Sequence, residues 1–133
     1  MKKYFSFILT AVIFIGCATV PITGRKQLSM IPNSQILPLS YDSYSTVLKG
    51  SKLSTNQKQV QMVKSVGKDI QQSVEKFMAD NKLSDHLKGY AWEFNLIEED
   101  LVNAWCMPGG KVAFYTGIMP VCKDEKGVAV VMG

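Results

Sequence analysis

Val60, Val63, Val66, Ile70, Val74 and Phe77 recur at spacings of three and four, and the residues between them are almost all polar or charged. No other feature of the 133-residue chain restricts its fold as much. That period puts one apolar stripe along an α-helix of about 25 residues, ~38 Å long. Ser54-Thr55-Asn56-Gln57 has the form of a capping box and predicts a start at Ser54; Asn81 is a stop. Gly67 inside the helix costs ~1 kcal/mol relative to alanine and leaves room for close packing. The stripe reads as core, and a helix this amphipathic needs another layer to cover it.

The rest of the chain supplies that layer. Leu37, Tyr41, Tyr44 and Leu48 predict an earlier helix, capped at Asn33 or Ser34 and ended by Gly50, with Pro38 tolerable only near its start. After Gly89 the period falls to about two. Tyr90–Ile97, Leu101–Cys106 and Val112–Thr116 read as strands, with Glu98-Glu99-Asp100 as an acidic turn. Met107-Pro108-Gly109-Gly110 places proline and glycine where a type II turn needs them. The expected class is α+β: two helices, one long, packed on a small antiparallel three-stranded sheet. Asp124 and Glu125 then open an apolar helix that Gly133 cuts short. A helix of about two turns leaves its stripe little to pack on, so we expect the front part of a longer protein or a premature stop.

The N-terminal end reads as an address. Lys2-Lys3 precede an apolar run from Tyr4 to Ile15, too short to span a ~30 Å hydrocarbon core. Gly16-Cys17 follows, a pattern that resembles the bacterial lipobox, although Phe14 stands where leucine is usual. The expected organisation is a lipoprotein signal peptide over 1–16, lipidation of Cys17 and an extended tether over 17–32. The alternative is an ordinary secretory signal with a buried Cys17. Ala18 in place of aspartate favours the outer membrane, by analogy with lipoproteins lacking a retention signal. The expected location is therefore a bacterial cell envelope, lipid-anchored and facing the periplasm.

Several chemistries are absent. A net charge of +4, milder still once the leader's two lysines are gone, and no basic cluster longer than two argue against a nucleic-acid partner. His86 is the sole histidine, so a three-histidine metal centre is excluded within these residues. No Walker loop, Gly-x-Ser-x-Gly elbow or Cys-x-x-Cys pair occurs. Glu98, Glu99, Asp100 and His86 read as solvated. Cys106 and Cys122 are either a disulfide closing a loop of about 16 residues, which contributes ~3 kcal/mol, or two free, mostly buried thiols.

Asn103-Ala104-Trp105-Cys106-Met107-Pro108-Gly109-Gly110-Lys111-Val112 with Tyr115-Thr116-Gly117 resembles the hairpin of zinc metallopeptidases related to the CAAX prenyl protease and HtpX, particularly their bacterial lipoprotein members. Trp105 and Cys106 replace the commoner Phe and Ala. Pro21 to Leu28 is similar to the segment after the anchor, and Asp124 to Gly133 to the run-up to the zinc helix. The resemblance implies a zincin-like N-terminal half and an incomplete peptidase domain over 33–133. It implies a zinc-dependent envelope endopeptidase acting in protein quality control, in which zinc-polarised water attacks the peptide carbonyl. The His-Glu-x-x-His set would follow residue 133, so no metal ligand falls in this chain and the chain alone is expected to be inactive.

The substrate side is what carries over. The implied partner is an extended polypeptide laid against Asn103, Ala104 and Trp105, with Gly109 and Gly110 setting the turn; the alternative for all five is a structural hairpin. The competing functions are a non-catalytic lipoprotein that binds extended peptide or a partner protein through an edge strand, and a non-functional remnant. The oligomeric state is open.

Overall fold

The computed structural model describes residues 17–20, 24–28 and 31–133. Residues 1–16, where a signal peptide is expected, lie outside them. The chain divides into two units, 1–35 and 36–133. In the first, the expected tether contains a short antiparallel ribbon, β1 (Cys17–Thr19) with β2 (Lys26–Leu28). The Val20 N–H donates to Arg25 O at 2.7 Å, closing the ribbon's end.

The helices fall where the periodicity puts them. Helix α1 spans Asn33–Gly50 and α2 spans Gln57–Asp80. The α2 cap is Asn56 rather than Ser54: its side chain accepts the Gln59 N–H at 3.3 Å, and Ser54 Oγ accepts the Asn56 N–H at 3.3 Å. Ser54 is occupied elsewhere, since its own N–H donates to Leu96 O at 2.9 Å. After a 3₁₀ turn at Ser84–Leu87 come β3 (Glu93–Ile97), β4 (Ala104–Met107) and β5 (Lys111–Tyr115). A second 3₁₀ turn, Thr116–Ile118, leads into α3 (Met119–Cys122) and α4 (Glu125–Met132). Asp124 caps α4 by accepting the Gly127 N–H at 3.0 Å.

The α+β class and the three strands are as expected; the sheet is mixed rather than antiparallel throughout. The order is β3-β5-β4, with β5 antiparallel to β4 and parallel to β3. The cause is the segment between β3 and β4, which is too long for a tight turn. It crosses over the end of β5, where Thr116 Oγ1 accepts the Glu99 N–H at 3.0 Å and donates to Glu99 O at 2.9 Å. Gly117 N–H donates to the same carbonyl at 3.0 Å. The acidic turn is thus pinned by Thr116-Gly117 and keeps β3 and β4 apart.

The sheet is covered on both faces. Phe94, Leu96 and Phe114 on one face pack with Val63 and Val66 of α2 and Val128 of α4. Gly67 belongs to this contact: a Cβ there would fall on the Phe94 ring. Ile97 and Ala113 on the other face pack with Tyr44 of α1. Each fully buried large apolar side chain contributes ~1.5–3 kcal/mol.

Candidate functional site

Helix α1 lies on one face of the sheet and determines how the β4–β5 hairpin is held. The turn residues Gly109 and Gly110 have φ of +87° and +81°, the left-handed region that glycine adopts without strain. Tertiary contacts also require glycine there, since a Cβ would lie 2.5 Å from Tyr41 Oη at the first and 2.5 Å from the Trp92 ring at the second. Ser40 Oγ donates to Pro108 O at 2.7 Å. Gly109 O accepts the Ala91 N–H and Gly110 O the Glu93 N–H, both at 3.0 Å. Pro108-Gly109-Gly110 is therefore tied to α1 and to the approach to β3.

Beneath the hairpin is a polar cluster that sequence reasoning missed. Lys111 is 8% exposed, and its Nζ lies 2.9 Å from Glu93 Oε2 and over the Tyr41 and Tyr44 rings at 4.8 and 5.7 Å. Asn95 Nδ2 donates to Glu93 Oε1 at 2.8 Å and to Tyr44 Oη at 3.1 Å, and Tyr44 Oη donates to Val112 O at 2.6 Å. Burial works to raise the Glu93 carboxyl, but hydrogen bonds from Lys111 and Asn95 and the Lys111 charge hold it below the ordinary glutamate value. Tyr44 is pushed up to about 12, chiefly by burial; the Asn95 hydrogen bond opposes this and the Glu93 charge adds to it. The signal that could have found the cluster was Glu93, Asn95 and Lys111 standing at alternate, inward positions of otherwise apolar strands.

The two edges of the sheet are treated differently. Beyond β3 lies the stretch 52–54: Leu53 bridges Ile97, and the Glu98 N–H donates to Lys52 O at 2.7 Å. Among the described residues β4 pairs with β5 alone, so its outer edge is open. Tyr115 N–H donates to Asn103 O at 3.2 Å, and the antiparallel alternation then turns the N–H and C=O of Ala104 and Cys106 outward. The Ala104 N–H is taken by the Asn103 side chain at 2.9 Å. Ala104 O and both backbone groups of Cys106 face the open edge.

The residues expected on the substrate side, Asn103, Ala104, Trp105, Gly109 and Gly110, lie at one hairpin with distinct parts, whereas Cys17 and Cys122 lie outside it. Asn103 is exposed and caps the edge; Ala104 packs toward α2. Trp105 faces α1, its indole N–H donating to Tyr115 Oη at 3.1 Å and its ring edge-on to Tyr44 at 5.6 Å. Cys106 is exposed and Cys122 buried, and both are free thiols, not a disulfide; burial raises the Cys122 thiol. His86 is exposed on the 3₁₀ turn after α2. Cys17 opens β1, and its side chain is not among those described.

Two clefts, each about 270 Å³, flank α1. The one toward β3 includes Lys49 and Glu93. The one toward the tip of β4 is lined by Ile36, Leu39, Ser40, Ser43, Met107 and Pro108, none of them charged. No helix among the described residues is long and apolar enough to cross a membrane.

The model of peptidase family M48 matches residues 64–133, from the middle of α2 through α4. The match covers just over half of the chain, and the chain belongs to that family. Three mitochondrial metalloendopeptidases named OMA1 are similar to it. That of Arabidopsis thaliana is 38% identical over 48% of this chain and 13% of its own length. That of Schizosaccharomyces pombe is 28% identical over 85% of this chain and 31% of its own. That of Saccharomyces cerevisiae is 36% identical over 40% of this chain and 15% of its own. The chain therefore spans less than a third of the relatives it matches. No solved structure matches it.

These likenesses correct the expected location. The relatives are mitochondrial proteins of a plant and two yeasts, not lipoproteins of a bacterial outer membrane, and the envelope assignment is withdrawn. The metallopeptidases of the family use zinc, but no three His, Cys, Asp or Glu side chains among the described residues are grouped to hold a metal. The residues present do not fit a zinc site, and none is assigned as a ligand.

Proposed function

We propose that this chain is the substrate-holding part of a zinc metalloendopeptidase and has no hydrolytic activity of its own. An extended polypeptide adds to β4 as a further strand, using Ala104 O and the Cys106 N–H and C=O for main-chain hydrogen bonds. The observation that carries this reading is the contrast between the covered edge of β3 and the open edge of β4. Family membership and the OMA1 likeness support the protease assignment. The likeness of residues 103–117 to the CAAX protease and HtpX hairpin supports the place of β4 within it. Asn103, Ala104 and Trp105 position that edge, and Gly109-Gly110 hold the turn that presents it. In the same reading Cys17 carries a lipid that ties the chain to a membrane; the apolar leader before Gly16-Cys17 supports this, and the mass of the native N-terminal peptide tests it.

The test is peptide binding by the full chain, followed by fluorescence anisotropy, together with zinc content and casein cleavage. The expected result is binding of extended peptides that Cys106→Pro abolishes, because proline removes an outward N–H that the β4–β5 ladder does not use. Zinc and proteolysis are expected in the native protein and neither in these 133 residues by themselves. Casein cleavage by this chain, or a native protein free of zinc, overturns the reading.

A further inference from the structure

We propose that the groove between α1 and the tip of β4 is a subsite for one large apolar side chain of the polypeptide laid along β4, with Leu39 and Met107 as its selecting walls. The proposal rests on the β4 reading above and adds the chemistry of the side chain that is recognised.

The argument starts from register. In a β-strand successive side chains alternate between faces, and a strand added to an edge continues the pleat of its neighbour. Trp105 and Met107 point to the α1 face of the sheet, where they join the Tyr44 cluster, and Ala104 points to the α2 face. Whatever residue of an added strand stands opposite Met107 therefore also faces α1, whichever way that strand runs. The surface it meets is the cleft of Ile36, Leu39, Ser43, Met107 and Pro108. Groove and open edge share Met107, so the two form one continuous surface.

The chemistry of the groove selects among side chains. None of its residues carries a charge, and Ser40, its most buried hydroxyl, is already committed to Pro108 O at 2.7 Å. Leu39 is 65% exposed, an apolar wall with nothing among the described residues over it. A charged side chain placed here would lose water without gaining a partner, whereas Leu, Met or Phe would bury apolar surface. The volume, about 270 Å³, admits one such group. The cleft on the other flank of α1 contains Lys49 and Glu93 and lies beside the edge that residues 52–54 already cover. Apolar lining and strand access coincide only on the β4 flank.

The experiment uses the full chain in mild detergent and short blocked peptides on a serine/threonine scaffold, with a single phenylalanine walked along them. Phenylalanine is expected to tighten binding about tenfold over the scaffold at alternate positions and little at those between. In Leu39→Asp, and in the milder Leu39→Ser, the ratio of phenylalanine to scaffold affinity is expected to fall to about one. Circular dichroism melts check that both variants fold. Cys106→Pro is expected to weaken scaffold and phenylalanine peptides alike, which separates the edge from the subsite.

A phenylalanine gain that survives Leu39→Asp, or no gain at any position, overturns the subsite and leaves the β4 reading standing. If neither the scaffold nor any phenylalanine peptide binds, the β4 reading falls and takes the subsite with it. A chain that dimerises until Leu39→Asp makes it monomeric, or that needs Leu39 to bind phosphatidylcholine vesicles, gives the groove another occupant and overturns the proposal.

Discussion

Lys111 and Glu93 show how much a single side chain decides in this molecule. A lysine in a strand is ordinarily a surface residue; here it is buried because a carboxylate and two aromatic rings receive its charge. Glu93 is held below its ordinary pKa, so the folded state binds its proton less readily than the unfolded chain does. Its contribution to stability is present above the unfolded value of about 4.3 and is lost as the pH falls through the lower, folded value. Glu93→Gln is expected to flatten the acid limb of the stability curve, measured as the urea midpoint between neutral and acid pH. An unchanged acid limb would show that the pair is not coupled to folding. Gly67 offers a second test. Gly67→Ala gains helix propensity but drives a methyl group into the Phe94 ring, and overpacking costs ~1–3 kcal/mol. We expect net destabilisation of about 1–2 kcal/mol, measured by urea unfolding.

At the scale of elements, caps and turns divide into those that local sequence decides and those it does not. The α4 cap at Asp124 and the glycine turn at 109–110 stand where the residue types require them. The α2 cap stands two residues after Ser54, inside the apparent capping box, because β3 claims the Ser54 N–H and the helix begins only once the chain has left that edge. Asn56→Ala is expected to cost about 1 kcal/mol and Ser54→Ala clearly less, read from thermal or urea midpoints. The reverse order would return the cap to Ser54. Trp105 and Cys106 are also placed at this scale. The indole N–H has a partner in Tyr115, and the cysteine thiol is exposed.

At the scale of the unit spanning 36–133, the sheet lies between α1 on one side and α2 with α4 on the other. Tyr44 joins the first two of these layers, since one hydroxyl donates to β5 and accepts from β3. With its pKa raised to about 12 the phenol keeps its proton, and remains a donor, across the physiological range. Tyr44→Phe removes the bond to Val112 O and the one from Asn95 while the β3–β5 ladder still satisfies that carbonyl, and is expected to destabilise the fold by ~0.5–1.5 kcal/mol, lowering the urea midpoint without changing the slope. A variant as stable as the parent would show that packing of the ring alone holds α1 to the sheet.

The helical stripe of α2, the position of α1, the strands and the glycine turn were legible in the amino-acid sequence, since each depends on residues within a few positions of one another. So were Asn103, Ala104 and Trp105 as parts of one hairpin. The partner of each strand was not legible: alternation says that a strand has two faces and is silent on what lies beside it. Six residues after β3 were enough to carry the chain past the end of β5, and only the Thr116 clamp shows that they do. The place of β4 at the outside of the sheet follows from that one crossing, and the covering of β3 follows from the distant stretch 52–54. They are properties of non-local packing, which no local pattern encodes.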